Sequence, residues 1–241
     1  MFYALAKDEA SVMSKINLFV ACAPVARMND VTFDISLGSF NLPVAEAALN
    51  ALGLHHLWDQ DMRSKLNDFG QTPFAQLVGF NDIVLFLISN LESTQFSSKE
   101  RVAVIRNRFP NECSTKELFH YGQIVVARKF QEYDYGWLKN LREYGRIGPP
   151  EIKLSDIKKM PIAMFVGADD HLATPGDAVW EQDQLGNVVH FEVMSNFDHE
   201  SFMLGFDTSY ITRALDLVKK YNPAVPTPAP EEVVKVEEFL Y

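Results

Sequence analysis

Apolar residues along this chain fall into two kinds of pattern. Phe2, Leu5, Ala6, Glu9 and Met13 lie near helical spacing, which predicts a helix over the first fifteen residues. No Ser, Thr, Asp or Asn precedes it, so its first turn lacks a side-chain cap. Ile16-Asn-Leu-Phe-Val-Ala-Cys22 is then an apolar run of strand length, stopped by Pro24. Pro161–Gly167 and Val188–Met194 are two more such runs. Runs without alternation suit strands buried on both faces, as in a parallel sheet covered by helices. Between the second and third runs, Pro175 to Leu185 predicts a helix with proline in its first turn. After the third, Asp207 is expected to cap a helix with Ile211, Ala214, Leu215 and Val218 on one face. Strand, helix, strand, helix predicts an α/β fold with a parallel sheet.

The middle, residues 42–146, reads differently: helical, with no convincing strand. Ser114-Thr-Lys-Glu117 is a capping box that opens a helix through Phe130. Ser98 is expected to cap a helix to Phe109, and Phe74 to Leu91 is a dense apolar segment. Such a block between sheet strands reads as a cap or lid. The expected organisation is therefore a sheet core in two pieces, 1–41 and 147–221, around a cap at 42–146. Residues 222–241 stand apart: Asn222 to Pro230 is a proline-rich spacer, and Glu231 to Tyr241 is acidic with interspersed Val, Phe and Leu. That tail reads either as a disordered extension or as a docking peptide for another protein.

Composition narrows the function. The chain is 47% hydrophobic and 22% charged, which excludes a disordered or fibrous protein. A net charge of −10 argues against nucleic acid, which demands a basic face. Two cysteines, Cys22 and Cys113, allow at most one bridge. The longest apolar runs, such as Ile83 to Ile88, fall far short of the ~20 residues that span a bilayer. No signal peptide or Asn-x-Ser/Thr sequon is present, so localisation stays open.

Among six histidines, His55 and His56 are adjacent and point in different directions, which makes a poor metal pair; His190 lies in an apolar strand and reads as structural. No metal site or cofactor is expected. His199 lies in Asn196-Phe-Asp-His-Glu-Ser-Phe202, just beyond a predicted parallel strand, at the sheet edge where sites are built. Asp170 occupies the matching place after the preceding strand, in Val166-Gly-Ala-Asp-Asp-His-Leu172. An acid after one strand and a histidine after the next form the rear half of a hydrolase triad. Either residue could equally serve capping or solubility. The serine turn is missing: no Gly-x-Ser-x-Gly occurs in the 241 residues.

The chain resembles the acid lipases, the gastric and lysosomal lipases and their relatives. Ile16 to Ala26 resembles the family's strand ending in Ala-Pro-Val-Ala, and Lys129-Phe-Gln-Glu-Tyr-Asp-Tyr-Gly136 is similar to a cap motif. Leu154 to Ala173 follows the approach to the triad acid, and Asn196-Phe-Asp-His199 with Phe202 and Gly205 follows the histidine loop. The resemblance runs in collinear order from Met1 to about Tyr221. It implies a partial α/β-hydrolase fold, the last three parallel strands with flanking helices, carrying a helical cap. It implies Asp170 as triad acid and His199 as triad histidine, with Asp169 a weaker candidate. Departures stand at His171, Thr174, Glu200 and Ser201, where the family prefers Trp, Asp, Leu and Asp.

By that resemblance the family's serine elbow would lie a few residues before Met1, and the chain is expected to be the rear part of a larger fold. The activity implied is hydrolysis of triacylglycerols or sterol esters, with a lipid ester or lipid surface as partner. The 241 residues alone are expected to be inactive for want of the serine. Family members are secreted or lysosomal. Three readings compete: part of an active lipase, a catalytically dead interaction or structural subunit, or a lipid-binding module. The Ile16–Cys22 strand is expected to leave an exposed apolar edge, so the isolated chain should be poorly soluble or need a protein partner there.

Overall fold

The computed structural model describes residues 1–31, 56–57 and 113–222. The expected helix at Ser98–Phe109, the Phe74–Leu91 segment, His55 and the proline-rich tail lie outside the described residues.

Helix α1 spans Phe2–Met13, and Met1 provides no side-chain cap. Asp8 leaves helical geometry inside it, and its carboxylate accepts from Ser11 N at 3.0 Å. A cap in mid-sequence thus joins two short helical pieces, which apolar spacing alone does not reveal. Strand β1, Phe19–Cys22, starts three residues later than expected, because Lys15 N and Ile16 N both turn back onto Val12 O. Two-residue strands β2 (His56–Leu57) and β3 (Cys113–Ser114) pair antiparallel, a short ladder in a block expected to hold no strand. Helix α2, Thr115–Ala127, is capped by Ser114 Oγ, which accepts from Lys116 N at 3.2 Å. It ends three residues before Phe130: Arg128 turns left-handed, and Phe130 O is taken by Ile152 N instead. Helix α3 is Trp137–Tyr144.

The second core segment follows the expected order closely. Strand β4 is Ile162–Gly167, helix α4 Pro175–Gln184, strand β5 Val188–Met194, helix α5 Ser201–Leu204 and helix α6 Ser209–Tyr221. The sheet is parallel in the order β1-β4-β5. All six residues of β4 are buried. Ile162 and Met164 pack with Phe2, Leu5, Ile157 and Met160 on one face, while Ala163 and Phe165 pack with Met194, Phe197 and Tyr210 on the other. Burial on both faces is why the strand reads as an unbroken apolar run. Three parallel strands with flanking helices agree with a partial α/β-hydrolase fold.

Helix α6 corrects one expectation. Of the expected face Ile211, Ala214, Leu215 and Val218, only Ala214 packs on the core, together with Tyr210 and Leu217, whereas Ile211, Leu215 and Val218 are exposed. The two stripes lie one residue apart, so helical periodicity fits either. Tyr210 decides the matter by packing against Phe165, Phe197 and Phe202. Thr208 occupies the cap position, and Asp207 accepts from Ser209 N at 2.7 Å.

The segment after β1 is tied down by buried charge. Asp177, 2% exposed, accepts from Arg27 Nε at 2.8 Å, Asn29 N at 2.8 Å and Asp30 N at 2.9 Å. One turn further along α4, Glu181 is fully buried and accepts from Ala26 N. Arg27 also stacks on Trp180, 4.1 Å from the ring centroid. Met28 and Val31, held by this clamp, pack with Ile124 and Val125 of α2, and Leu172 of the loop after β4 packs against the same cluster. Among the described residues no helix is long and apolar enough to cross a membrane.

Candidate active site

Two loops meet at the carboxyl edge of the sheet. The one after β4 is spliced to the one after β5 by backbone bonds: Ala168 N to Met194 O and Asp169 N to Phe197 O, both 2.9 Å. Gly167 permits this approach. A Cβ there would sit 2.4 Å from Phe197 O, closer than any side chain tolerates. On the opposite loop, Asn196 turns the chain at φ +60, a conformation Asn adopts more readily than most residues. Phe197, Phe202 and Tyr210 pack ring against ring beneath that loop, and the Tyr210 hydroxyl donates to Phe202 O.

This frame brings Asp170 and His199 together. His199 Nδ1 lies 3.0 Å from Asp170 Oδ2. The other carboxylate oxygen accepts from Leu172 N at 2.8 Å and Ala173 N at 2.7 Å, so the acid is pinned by its own loop. The Asp170 side chain is fully buried and that of His199 is 37% exposed, so one end of the pair is dry and the other reachable. Asp169, the weaker candidate, is exposed, and His171 is exposed beside it. Burial of the His199 ring works to lower its pKa, but the hydrogen bond to Asp170 and then the charges of Asp170, Glu200 and Asp198 outweigh it. The imidazole is held above its ordinary value. With Nδ1–H donated to Asp170, Nε2 is left to accept a proton from an incoming hydroxyl.

The nearest hydroxyl in sequence cannot be that nucleophile. Ser201 Oγ donates to Asp198 Oδ1 at 2.6 Å and accepts from Asp198 N at 3.0 Å, and the residue is buried. His190, expected to be structural, packs on Phe165 with Nε2 3.0 Å from Glu192. His120 places Nε2 2.8 Å from Gln131 O. It lines a cavity of about 540 Å³ between the start of α1 and α2, with Phe2, Tyr3, Lys116, Tyr133 and Tyr135. Neither Asp170 nor His199 lines that cavity.

The paired acid and histidine sit in the collinear stretch that relatives share. A tear acid lipase-like protein of Mesocricetus auratus is 26% identical over 213 residues, 85% of this chain and 50% of that protein. Lipase lipl-5 of Caenorhabditis elegans is 29% identical over 93% of this chain and 55% of its own. Human gastric triacylglycerol lipase is 30% identical over 51% of this chain and 31% of its own. The chain is related to the acid lipases. It spans about half the length of the first two of these relatives. No protein-family model matches it. Among solved structures, a monoacylglycerol lipase of Paleococcus ferrophilus aligns with a TM-score of 0.43 at 14% identity, over 92% of this chain and 65% of that one.

Sequence reasoning missed two features of this acid-lipase-like chain. Glu200 and Ser201 stood out only as departures from the family's pattern, yet they are buried beside His199. The Arg27–Asp177–Glu181 clamp left one faint signal, a pair of acids four residues apart on a predicted helix.

Proposed function

We propose that Asp170 and His199 are the acid and base of a carboxylic ester hydrolase acting on lipid esters, triacylglycerols or sterol esters. The observation that carries this reading is the 3.0 Å contact between His199 Nδ1 and the fully buried Asp170 carboxylate, on loops that follow adjacent parallel strands. Kinship with the acid lipases supplies the substrate class. In this reading His199 takes the proton of a serine as the serine attacks the ester carbonyl, then returns it to the departing alcohol. Asp170 orients the ring and stabilises the imidazolium. Water repeats the sequence on the acyl-enzyme.

The 241 residues hold no Gly-x-Ser-x-Gly, the turn that presents the nucleophilic serine in hydrolases of this kind. The oxyanion donor that follows such a serine goes with it. Loss of the serine alone costs about 10⁶ in turnover, so the 241-residue chain by itself is inactive in this reading. A serine-directed fluorophosphonate, with hydrolysis of a p-nitrophenyl ester alongside, tests both parts. The 241-residue chain should stay unlabelled and turn nothing over. The protein from its natural source should label, and His199→Ala or Asp170→Asn in the natural gene should lower hydrolysis about 10⁴-fold or more. Labelling of the 241 residues alone, or hydrolysis indifferent to His199→Ala, overturns the reading. A natural protein that neither labels nor hydrolyses esters points instead to a catalytically dead subunit.

A further inference from the structure

Helix α3 is built the wrong way round for a helix that serves the core. Its one buried residue is polar: Asn140, 1% exposed. That side chain donates to Asp134 Oδ1 at 2.7 Å and to Ile147 O at 2.9 Å, and accepts from Tyr135 N at 2.9 Å. Asp134 Oδ1 also accepts from Gly136 N at 2.8 Å, and the Tyr144 hydroxyl donates to Tyr133 O at 2.9 Å. The stretch that carries the helix is closed at its base, where Glu132 N donates to Pro150 O at 2.9 Å and Ile152 N to Phe130 O at 2.8 Å. Polar contacts therefore hold α3 in place. The apolar residues that normally do so stand outside: Trp137 is 65% exposed, Leu138 66%, Leu141 49% and, just past the helix, Ile147 70%.

Trp137, Leu138 and Leu141 are neighbours on the helix surface, and Arg142 stands one turn beyond Leu138. Within residues 137–147, Lys139, Arg142 and Arg146 outnumber the single acid, Glu143, although the chain as a whole carries a net charge of −10. The Arg142 side chain is 86% exposed and its contact with Glu143 is a long 3.9 Å, while Lys139 Nζ rests 4.2 Å from the centre of the Tyr135 ring. Exposed tryptophan and leucine bordered by lysine and arginine is the make-up of a helix that lies in a membrane interface, with its rings and aliphatic groups among the headgroups and its cations against phosphate. We propose that α3 and the turn after it form a docking surface for an anionic phospholipid interface. Trp137, Leu138 and Leu141 enter the headgroup layer, and Lys139, Arg142 and Arg146 meet the phosphates.

The choice of lipid over an acidic protein groove rests on the ester-hydrolase reading, since a basic apolar helix suits either. The two attractions are separable. Charge draws the surface in and weakens with salt. The apolar residues then leave water, a gain that salt does not undo. A helix of eight residues is about 12 Å long, too short to cross a bilayer, so the contact lies in the plane of the headgroups. Docking of this kind fixes which side of the molecule meets lipid and asks nothing of Asp170 or His199.

The test is flotation of the full 241-residue chain with vesicles of phosphatidylcholine containing about 30% phosphatidylserine; bound protein rises with the lipid and aggregated protein does not. The chain should float with these vesicles and bind phosphatidylcholine alone about tenfold more weakly or worse. Binding should also fall at about 1 M salt, where charges are screened beyond about 3 Å. Trp137→Ala with Leu138→Ala, and Arg142→Gln with Arg146→Gln, should each weaken binding about tenfold. All four side chains are exposed, so both pairs should keep the wild-type circular dichroism. A wild type that does not float, or either pair floating as well as the wild type, overturns the proposal. So does a wild type that self-associates through this face, shown by loss of that association in the apolar pair without any binding to lipid. Should the variants fail to fold, the wild type decides: floating indifferent to phosphatidylserine and to salt overturns the proposal. In the natural protein the apolar pair should slow hydrolysis of vesicle-borne triacylglycerol and spare a soluble p-nitrophenyl ester. A natural protein that floats but hydrolyses neither ester overturns the hydrolase reading and leaves the docking surface; one that hydrolyses the soluble ester and never floats overturns the docking surface alone.

Discussion

Two sets of buried acids stand close together in sequence and are neutralised in opposite ways. Asp170, at the sheet edge, faces an imidazole that can lose its charge. Asp177, in the first turn of α4, faces the guanidinium of Arg27, which cannot. Around Asp177, Arg27 Nε, two backbone N–H groups and the Thr174 hydroxyl all point at the buried carboxylate, and the Arg27 side chain is mostly covered. Around Asp170 the acid is enclosed but its partner reaches solvent. A buried acid with a permanent counter-charge is a joint, here fastening the segment after β1 to the crossover helix. A buried acid whose counter-charge can come and go is equipped for proton transfer. Burial and hydrogen-bond counts alike fail to separate the two, whereas the nature of the partner does.

The sharpest way to break the comparison is to remove the joint. Asp177→Ala leaves Arg27 without its carboxylate, beside Glu181 alone, and strands the N–H groups of Asn29 and Asp30. Breaking a buried pair of this kind costs about 3–5 kcal/mol. Urea unfolding of the full chain should show that loss, or an unfolded variant. A loss under about 1 kcal/mol would mean that the clamp holds nothing. Asp170→Asn, which keeps the shape of its side chain, should cost much less stability while altering His199, and the contrast between these two variants is the comparison in its barest form.

Gly167→Ala probes the other member by geometry alone. The new Cβ would meet the Phe197 carbonyl at 2.4 Å, backbone against backbone, with no flexible side chain to move aside. The loops after β4 and β5 must separate, at a cost of about 1–3 kcal/mol. The downfield Nδ1–H resonance of His199 should weaken or vanish as the 3.0 Å contact opens. Retention of that resonance at full intensity would show that the two loops do not depend on this close approach.

How much of this was readable beforehand follows from the same physics. The sheet was legible because β4 is buried on both faces, which leaves a continuous apolar run, and β5 kept its predicted limits of Val188 and Met194. Asp170 and His199 were legible because an acid and a histidine after consecutive strands is a spacing with chemical meaning. The wrong face of α6 was not avoidable from periodicity, since Ile211-Leu215-Val218 and Tyr210-Ala214-Leu217 obey the same repeat. The clamp was hidden for a deeper reason. Arg27 and Asp177 are 150 positions apart and charged, and a charged residue in a sequence reads as solvated until something is found to bury it.

Glu181 lets the joint itself be tuned. It is fully buried, its Oε2 has no hydrogen-bond partner among the described residues, and burial is the chief reason its carboxyl is pushed up from 4.5 to about 7; the backbone N–H groups of Ala26 and Arg27 oppose this, and Asp177 adds to it. The sign is the reverse of a salt-bridged acid. Between about 4.5 and about 7 the folded chain keeps a proton on Glu181 that the unfolded chain has released. Stability from this group is therefore complete below that window and falls as pH rises through it, by at most about 1.4 kcal/mol per pH unit. His199, also raised, contributes in the same direction: its stabilisation is present in acid and lost as pH rises through its folded value. Glu181→Gln keeps an acceptor for Ala26 N and removes the titration, so its melting temperature should change less between pH 5 and 7 than that of the wild type. Glu200 is likewise pushed up to about 7, chiefly by burial, so Glu200→Gln should flatten the same slope. If Glu181→Gln runs parallel to the wild type across that range, Glu181 is ionised in the fold, Arg27 serves both acids, and the distinction between a fixed joint and a titrating site no longer holds.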